Sequence, residues 1–375
     1  MTHPLFDRHL LSIHSLAERA NKVVIARDRV DPERSEVTLS PGATQAVEEA
    51  AAAIRRARDE GRPAILAFGA HTIKNGLGPL LIRFIEQRWI THLATNGAGI
   101  IHDWELAYLG QTSEDVRTNI QAGEFGIWQE TGLFINLAIA VGAYEGLGYG
   151  ESIGAFVTRG GVEIPREKEL LSRLASPAGR RPASREELAG AAAAGDLLGL
   201  IRDLGLTEGF LRVSHPFKEY GVQAAAYRLG VPFTGHPMFG HDIIYTHPAS
   251  CGAAIGRTAE RDFLSIAEGI SRIEGGVYLS VGSAVMSPMV FEKCFSMAQN
   301  IAVQEGRHID RHTIFVVDLA EAPWDWQTLG EPPPDNPAYY LRFCKTFSRM
   351  GGTMRYVSAD NRSFLVALYR SLVGS

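Results

Sequence analysis

Three histidines and an aspartate fall within twelve residues of a Gly- and Pro-rich stretch, Thr234-Gly-His236-Pro-Met-Phe-Gly-His241-Asp242-Ile-Ile-Tyr-Thr-His247. Imidazole is the side chain poised to move protons near neutral pH. His and Asp are also good ligands for zinc, manganese or iron. The spacing matches neither HExxH nor another standard zinc pattern, so no metal is assigned, and contacts to substrate and cofactor are the preferred reading. A metal-dependent hydrolase using His236 to His247 is one alternative. A second group is Thr95-Asn96-Gly97-Ala-Gly99 followed by His102-Asp103-Trp104-Glu105. A glycine turn opening a helix places a titratable His-Asp pair beside amides that favour anions. The purely structural alternative is a tight turn with acidic residues in the first helical turns.

Weaker signals lie elsewhere. In Gly69-Ala-His71-Thr-Ile-Lys74-Asn75-Gly76 the glycines permit close backbone approach, and His71 and Lys74 suit an anionic group. The run is no Walker A loop and lacks the usual dinucleotide fingerprint. Gly282-Ser283-Ala-Val-Met-Ser287-Pro288 has small residues before a helix but no GxSxG elbow, so its serines read as hydrogen-bonding groups or caps. Asp318 and Asp360 follow apolar runs, where carboxylates bind ribose hydroxyls, although Asp360 reads equally well as a helix cap. Trp326, in Trp324-Asp-Trp326, is either a cover for a flat or cationic substrate or a packing plug.

These residues need elements to hold them. Ser40-Pro41 starts an alanine-rich helix to Glu60, and Pro63–Phe68 is a continuous apolar run of the kind buried in parallel sheets. Ile73–Trp89 reads as a helix and Thr91–Thr95 as the next strand, a βαβ unit. Further strands are expected at Arg212–Ser214, Val231–Thr234, Gly276–Val281, Thr313–Asp318 and Met354–Val357, with helices at Glu260–Ile273 and Met289–Gln304. The expected fold is α/β: a doubly wound, mainly parallel Rossmann-like sheet with helices on both faces. It occupies one domain over 41–375, after an N-terminal helix and linker at 1–40. A surface excursion is expected at about 166–196. Ligands bind such sheets beyond the carboxyl ends of the strands.

Composition narrows the function. The 375 residues are 45% hydrophobic and 21% charged, ordinary for a globular chain. A net charge of -5 gives no basic field for nucleic acid or acidic lipid. No apolar run is long enough to span a membrane, and no signal peptide is read at the start. Cys251, Cys294 and Cys344 fit a reducing, cytoplasmic setting.

The motifs, taken in order, resemble deoxyhypusine synthase, a homotetrameric NAD-dependent family. Thr95-Asn-Gly-Ala-Gly-Ile-Ile-His-Asp103 is similar to its Thr-Thr-Ala-Gly-Gly-Val-Glu-Glu-Asp. Gly240–His247 is similar to its Gly-Asp-Met-Ile-Phe-Phe-His, Leu279–Val285 to its Leu-Gly-Gly-Gly-Val, and Tyr356–Asp360 to its Val-Tyr-Ala-Asp. The His-Asp-Trp-Glu segment also resembles a turn of archaeal-type NAD-dependent ornithine cyclodeaminases. The resemblance implies NAD across the strand ends, near Lys74, Asn75, Gly76, Thr95, Asn96 and Gly97. Asp242, Gly282, Ser283 and Asp360 would complete its cradle. His247 matches the family's active-site histidine, and Asp103 an acidic residue after the turn.

The departures change the expected chemistry. Where the family carries its imine-forming lysine, this chain has Met286, Ser287 and Pro288, and the nearest lysine is Lys293. His102 replaces a glutamate that engages the polyamine. The expectation is therefore an NAD-dependent enzyme moving hydride on a small polar metabolite, with the possibility of a redox-neutral overall reaction. The base is His102, held by Asp103, or His247. His71, His236, His241 and Trp326 are the expected substrate contacts. The remaining alternatives are aminobutyl transfer through Lys293 and a non-catalytic NAD or metabolite sensor.

Overall fold

The computed structural model describes residues 3–175, 183–321, 324–326 and 328–374. The apolar runs become six parallel strands: β1 Ala64–Phe68, β2 His92–Asn96, β3 Phe233–His236, β4 Val277–Val281, β5 Thr313–Asp318 and β6 Thr353–Ser358. Their spatial order is β3-β2-β1-β4-β5-β6, a doubly wound Rossmann-like order. The register sets Phe68 beside Thr95 and Val281, Asn96 beside His236, and Asp318 beside Ser358. All the carboxyl ends therefore share one edge.

Alternation along the strands feeds two cores. Leu66, Phe68, Leu279, Val281, Phe315 and Val317 join one apolar cluster, with helices Pro41–Asp59, Gly78–Glu86, Gly97–Leu109 and Asn361–Val373. Ile65, Ala67, Tyr278, Ile314 and Val316 join the other, with helices Gly252–Ser271, Met286–Gln304 and Arg342–Ser348. A strand buried on both faces has no polar side to show. That is why these strands read as unbroken apolar runs.

The structure differs from the sequence reading in places. The helix expected at Ile73–Trp89 is two, Ala70–Lys74 and Gly78–Glu86, broken at the left-handed Gly76. The strand expected at Arg212–Ser214 is Gly209–Arg212, paired antiparallel with Gly161–Ile164 outside the main sheet. The first forty residues hold short turns tied to the body: Leu16 and Ile25 are buried, and Val23–Val24 pairs with Gln111–Thr112. In the expected excursion, helices Glu167–Ala175 and Arg185–Asp203 bury Leu170, Leu197 and Leu198, so they belong to the packed body. Its Pro177 and Pro182 lie outside the described residues. No single helix among the described residues is long and apolar enough to cross a membrane.

Candidate functional site

The crossover in strand order falls between β1 and β4, and there the two following loops touch. Gly69 N–H donates to the Val281 carbonyl at 3.0 Å. Gly282 has φ +58, and a Cβ on it would meet the Asn361 amide at 2.3 Å. Helix Met286–Gln304 then begins with no side-chain cap at Val285, although Ser283 Oγ accepts the Ser287 N–H at 3.2 Å. β5 ends at Asp318, whose Oδ1 accepts the Ala320 N–H at 3.0 Å. Asp360 is exposed and caps the last helix through the Ser363 N–H.

The glycine turn and the histidine loop also meet at this edge. A Cβ on Gly97 would fall 2.1 Å from Asp242 Oδ2. Asn96 caps its helix by accepting the Gly99 N–H at 2.9 Å. Thr95 is fully buried beneath the turn and donates its hydroxyl to the Phe68 carbonyl at 2.9 Å. Thr95 thus braces β1 against β2, and its side chain faces no ligand.

Beside the turn lies a cavity of about 200 Å³, lined by Lys74, His102, His241 and Asp242 and floored by Arg19, Glu105 and Glu114. Its wall is a buried polar chain. Arg19 forks onto Glu105 at 2.9 and 2.7 Å, and Thr131 donates to Glu105 at 2.8 Å. Thr112 gives its hydroxyl proton to Glu105, and His102 Nδ1 lies 2.7 Å from the Thr112 oxygen. With that hydroxyl already donating, His102 must donate from Nδ1, which leaves the lone pair on Nε2. Burial pushes His102 down to about 4, against the raising pull of Glu105, so the ring is neutral at pH 7. Burial would raise Glu105, but Arg19 outweighs it and holds the carboxylate below its ordinary range. Burial raises Asp242 to about 6, so a carboxyl titrating near neutrality shares the cavity with a neutral imidazole.

Several expected residues have other roles. Asp103 does not hold His102, because consecutive helical residues point about 100° apart. It is buried and accepts from Val222 N, Gln223 N and Gln223 Nε2 at 2.8 to 3.0 Å, capping another helix. Burial raises Asp103 to about 6 against those hydrogen bonds. Both ring nitrogens of His247 are engaged: Nδ1 accepts the Ala249 N–H at 3.0 Å and Nε2 faces Gln129 Oε1 at 3.3 Å. Gly76 packs on the Asp28 carbonyl, so it is not a phosphate glycine. Asn75 and His71 are exposed. Lys293 is exposed on its helix and paired with Glu292. Trp326 is buried in the second core, so it covers no ligand. His236 is buried against Thr234, while His241 is exposed, and no three metal-ligating side chains converge among the described residues.

Arg19, Thr112 and Glu105 carry the site, and the sequence reading gave none of them a role. Glu105 had a signal, since it lies three residues after His102 on the same helical face. Arg19 had none.

No protein-family model matches the chain, and no curated protein matches it. Solved structures do resemble it. One is the apo form of ArgZ, a cyanobacterial arginine dihydrolase of the ornithine-ammonia cycle, at 13% identity and TM-score 0.42, over 88% of this chain and 33% of that one. Another is AgrE in ternary complex with ornithine and NAD+, at 13% and 0.42, over 90% and 34%. A third is a putative deoxyhypusine synthase from Entamoeba histolytica, at 10% and 0.37, over 89% of each chain. The chain spans about a third of the length of the first two. At these values the ground for function is the chain's own topology and side chains.

Proposed function

We propose that this chain is an NAD-dependent enzyme that transfers hydride on a small polar metabolite held in the His102 cavity. The observation that carries the reading is the strand order, whose crossover lies between β1 and β4, with that cavity lined by residues following β1, β2 and β3 on the same edge.

The residues fit the cofactor asymmetrically. After β1 the helix Ala70–Lys74 has only five residues, too short to offer a strong dipole. After β4 a glycine turn leads into the nineteen-residue helix Met286–Gln304, whose Val285 makes no side-chain cap although Ser283 takes the Ser287 N–H, and the next strand ends in Asp318. Strand, glycine turn, long helix, then an acidic strand end is the arrangement that takes a pyrophosphate and a ribose. The adenylate half therefore belongs over β4 and β5, and the nicotinamide half toward β1, β2 and His102. Bound NAD would supply a hydride acceptor. The chain itself supplies His102 Nε2 to take the substrate proton, Lys74 to hold an anionic group, and Asp242 as a second titratable group.

The test is thermal stability of the purified chain with and without saturating NAD, followed by trapping of the reaction with deuterated cofactor in wild type and His102→Gln. A rise in Tm in both proteins, with turnover about 100-fold or more lower in the variant, is expected. No rise in either protein overturns the reading. The homotetramer belongs to the same proposal, and sedimentation tests it.

A further inference from the structure

The largest cavity described, about 700 Å³, lies at the opposite, amino-terminal edge of the sheet. Ala64, His92 and Pro232 place it beneath the starts of β1, β2 and β3. Its volume is that of a small-molecule site. Four arginines line it, Arg58, Arg62, Arg88 and Arg272, against the single carboxylate Glu268. Glu268 pairs with Arg272 at 3.5 Å. Arg58, Arg62 and Arg88 have no carboxylate partner among the described residues, and Arg58 lies 4.2 Å over the Trp89 ring.

A structural explanation is available and falls short. Helices Pro41–Asp59, Gly78–Glu86 and Gly252–Ser271 all end here, and basic residues complement such ends. Each end carries only about half a negative charge. The excess arginine charge outweighs all of them, in a protein whose net charge is -5.

The floor supplies an independent observation. His92 is 3% exposed, and its Nε2 is engaged by Thr234 Oγ1 at 3.1 Å. Its Nδ1 has no partner among the described residues. A Cβ on Gly269 would sit 3.3 Å from that nitrogen, so the glycine keeps it open to the cavity. We propose that this cavity is a second ligand site, for a nucleoside di- or triphosphate, with Arg62, Arg88 and Arg272 on the phosphates and His92 Nδ1 on a polar edge at the floor. The flat Arg58–Trp89 stack takes the base.

The site connects to the opposite edge. Thr234 Oγ1 also lies 3.0 Å from His236 Nε2 at the far end of β3. That hydroxyl has a single proton, which the two rings and, at the longer distance of 3.5 Å, the Leu93 carbonyl compete to accept. A ligand that accepts from His92 Nδ1 turns that proton toward His92 and makes His236 the donor. Occupancy at one edge is thereby read at the other.

Calorimetric titration of the full chain with ADP and with tripolyphosphate tests the site. The proteins are wild type, an Arg62→Ala/Arg88→Ala double variant, Gly269→Ala and, at the other edge, Asp318→Ala. Expected is ADP binding that weakens tenfold or more in the arginine variant and in Gly269→Ala. Asp318→Ala should retain it. The alanine at 269 gains helix propensity but meets His92 and Ile65 at 3.3 and 3.4 Å, so its urea unfolding curve is measured beside the titration to separate lost binding from lost folding. Absence of ADP binding overturns the proposal, as does binding abolished only by Asp318→Ala. Equal affinity for tripolyphosphate overturns the nucleotide assignment. ADP held at the Asp318 edge is a separate phase, lost in Asp318→Ala, whereas the phase lost in the arginine variant belongs to this cavity, so failure of this site and failure of the NAD reading are told apart.

Discussion

Gly69 and Gly282 approach so closely that a Cβ on Gly69 would fall 2.0 Å from the Gly282 carbonyl oxygen. That atom is backbone, so it cannot swing aside as a side-chain tip does. Gly69→Ala must push the loops after β1 and β4 apart. The expected loss of stability is about 1–3 kcal/mol, the usual range for overpacking. Because the displaced loops border the crossover, the NAD-induced rise in Tm should shrink as well. Gly199→Ala is the control: its site is open, and it should leave both readings unchanged or raise stability slightly. A Gly69→Ala protein with wild-type urea midpoint and NAD response would contradict the assignment.

Asp318 has Oδ1 committed to Ala320 and, among the described residues, no hydrogen bond on Oδ2. A carboxylate facing a ribose repels a 2′-phosphate. Wild type should therefore prefer NAD to NADP, and Asp318→Asn should weaken NAD and narrow the preference by tenfold or so, about 1.4 kcal/mol. Titrating both cofactors against both proteins measures this. An unchanged ratio would place the adenylate ribose elsewhere.

Arg19 and Glu105 are both buried and linked by two hydrogen bonds. Removing one member of such a pair leaves the other charge without its counterion, at about 3–5 kcal/mol. Arg19→Ala should lower the unfolding free energy, read from urea titration, by that amount. It should also free Glu105 to rise toward neutrality, loosening Thr112 and with it the orientation of His102. Arg19 also lies 3.9 Å from the buried Glu114, so Arg19→Met with Glu105→Gln and Glu114→Gln, which removes all three charges, should recover a good part of the stability while turnover stays low. A triple variant as unstable as Arg19→Ala would mean that the cluster contributes packing and not charge balance.

The parts of this fold legible in the chain are those set by local rules. Thr313–Asp318 reads as a strand because both its faces are covered, and Asn96 reads as a turn residue because it caps the helix behind it. The site was legible only at strand ends. Glu105 and Arg19 stand 86 residues apart, and nothing near Arg19 foretells its partner. The density of histidines at 236–247 pointed to one cluster, yet the three rings go to Thr234, to the surface, and to Ala249 and Gln129. Sequence spacing fixes ring direction within a helix or strand. It does not do so in a loop whose path is set by tertiary contacts. Trp326 illustrates the converse, a loop residue drawn into a core by long-range packing.

Asp262 supplies a pH test. It is buried and accepts Gly150 N–H at 2.8 Å and Gly235 N–H at 2.6 Å, with no ion pair among the described residues. Burial pushes it up to about 8, although those amides pull it down. The unfolded carboxyl titrates at about 3.9. Between those values the folded chain keeps a proton that the unfolded chain has lost. Stability from this group is therefore fully present below about pH 4 and falls as pH rises toward about 8, by up to about 1.4 kcal/mol per unit. An asparagine keeps an oxygen for both amides and has no proton to lose. The stability of Asp262→Asn relative to wild type should thus climb from pH 5 to pH 7.5 and level off above about 8. Buried histidines such as His92 and His236, lowered to about 3 and about 4 by burial, act in the opposite sense below pH 6.5, but they are common to both proteins and cancel. Urea midpoints across that range decide it. A difference that stays flat would mean that the folded protein holds Asp262 ionised throughout.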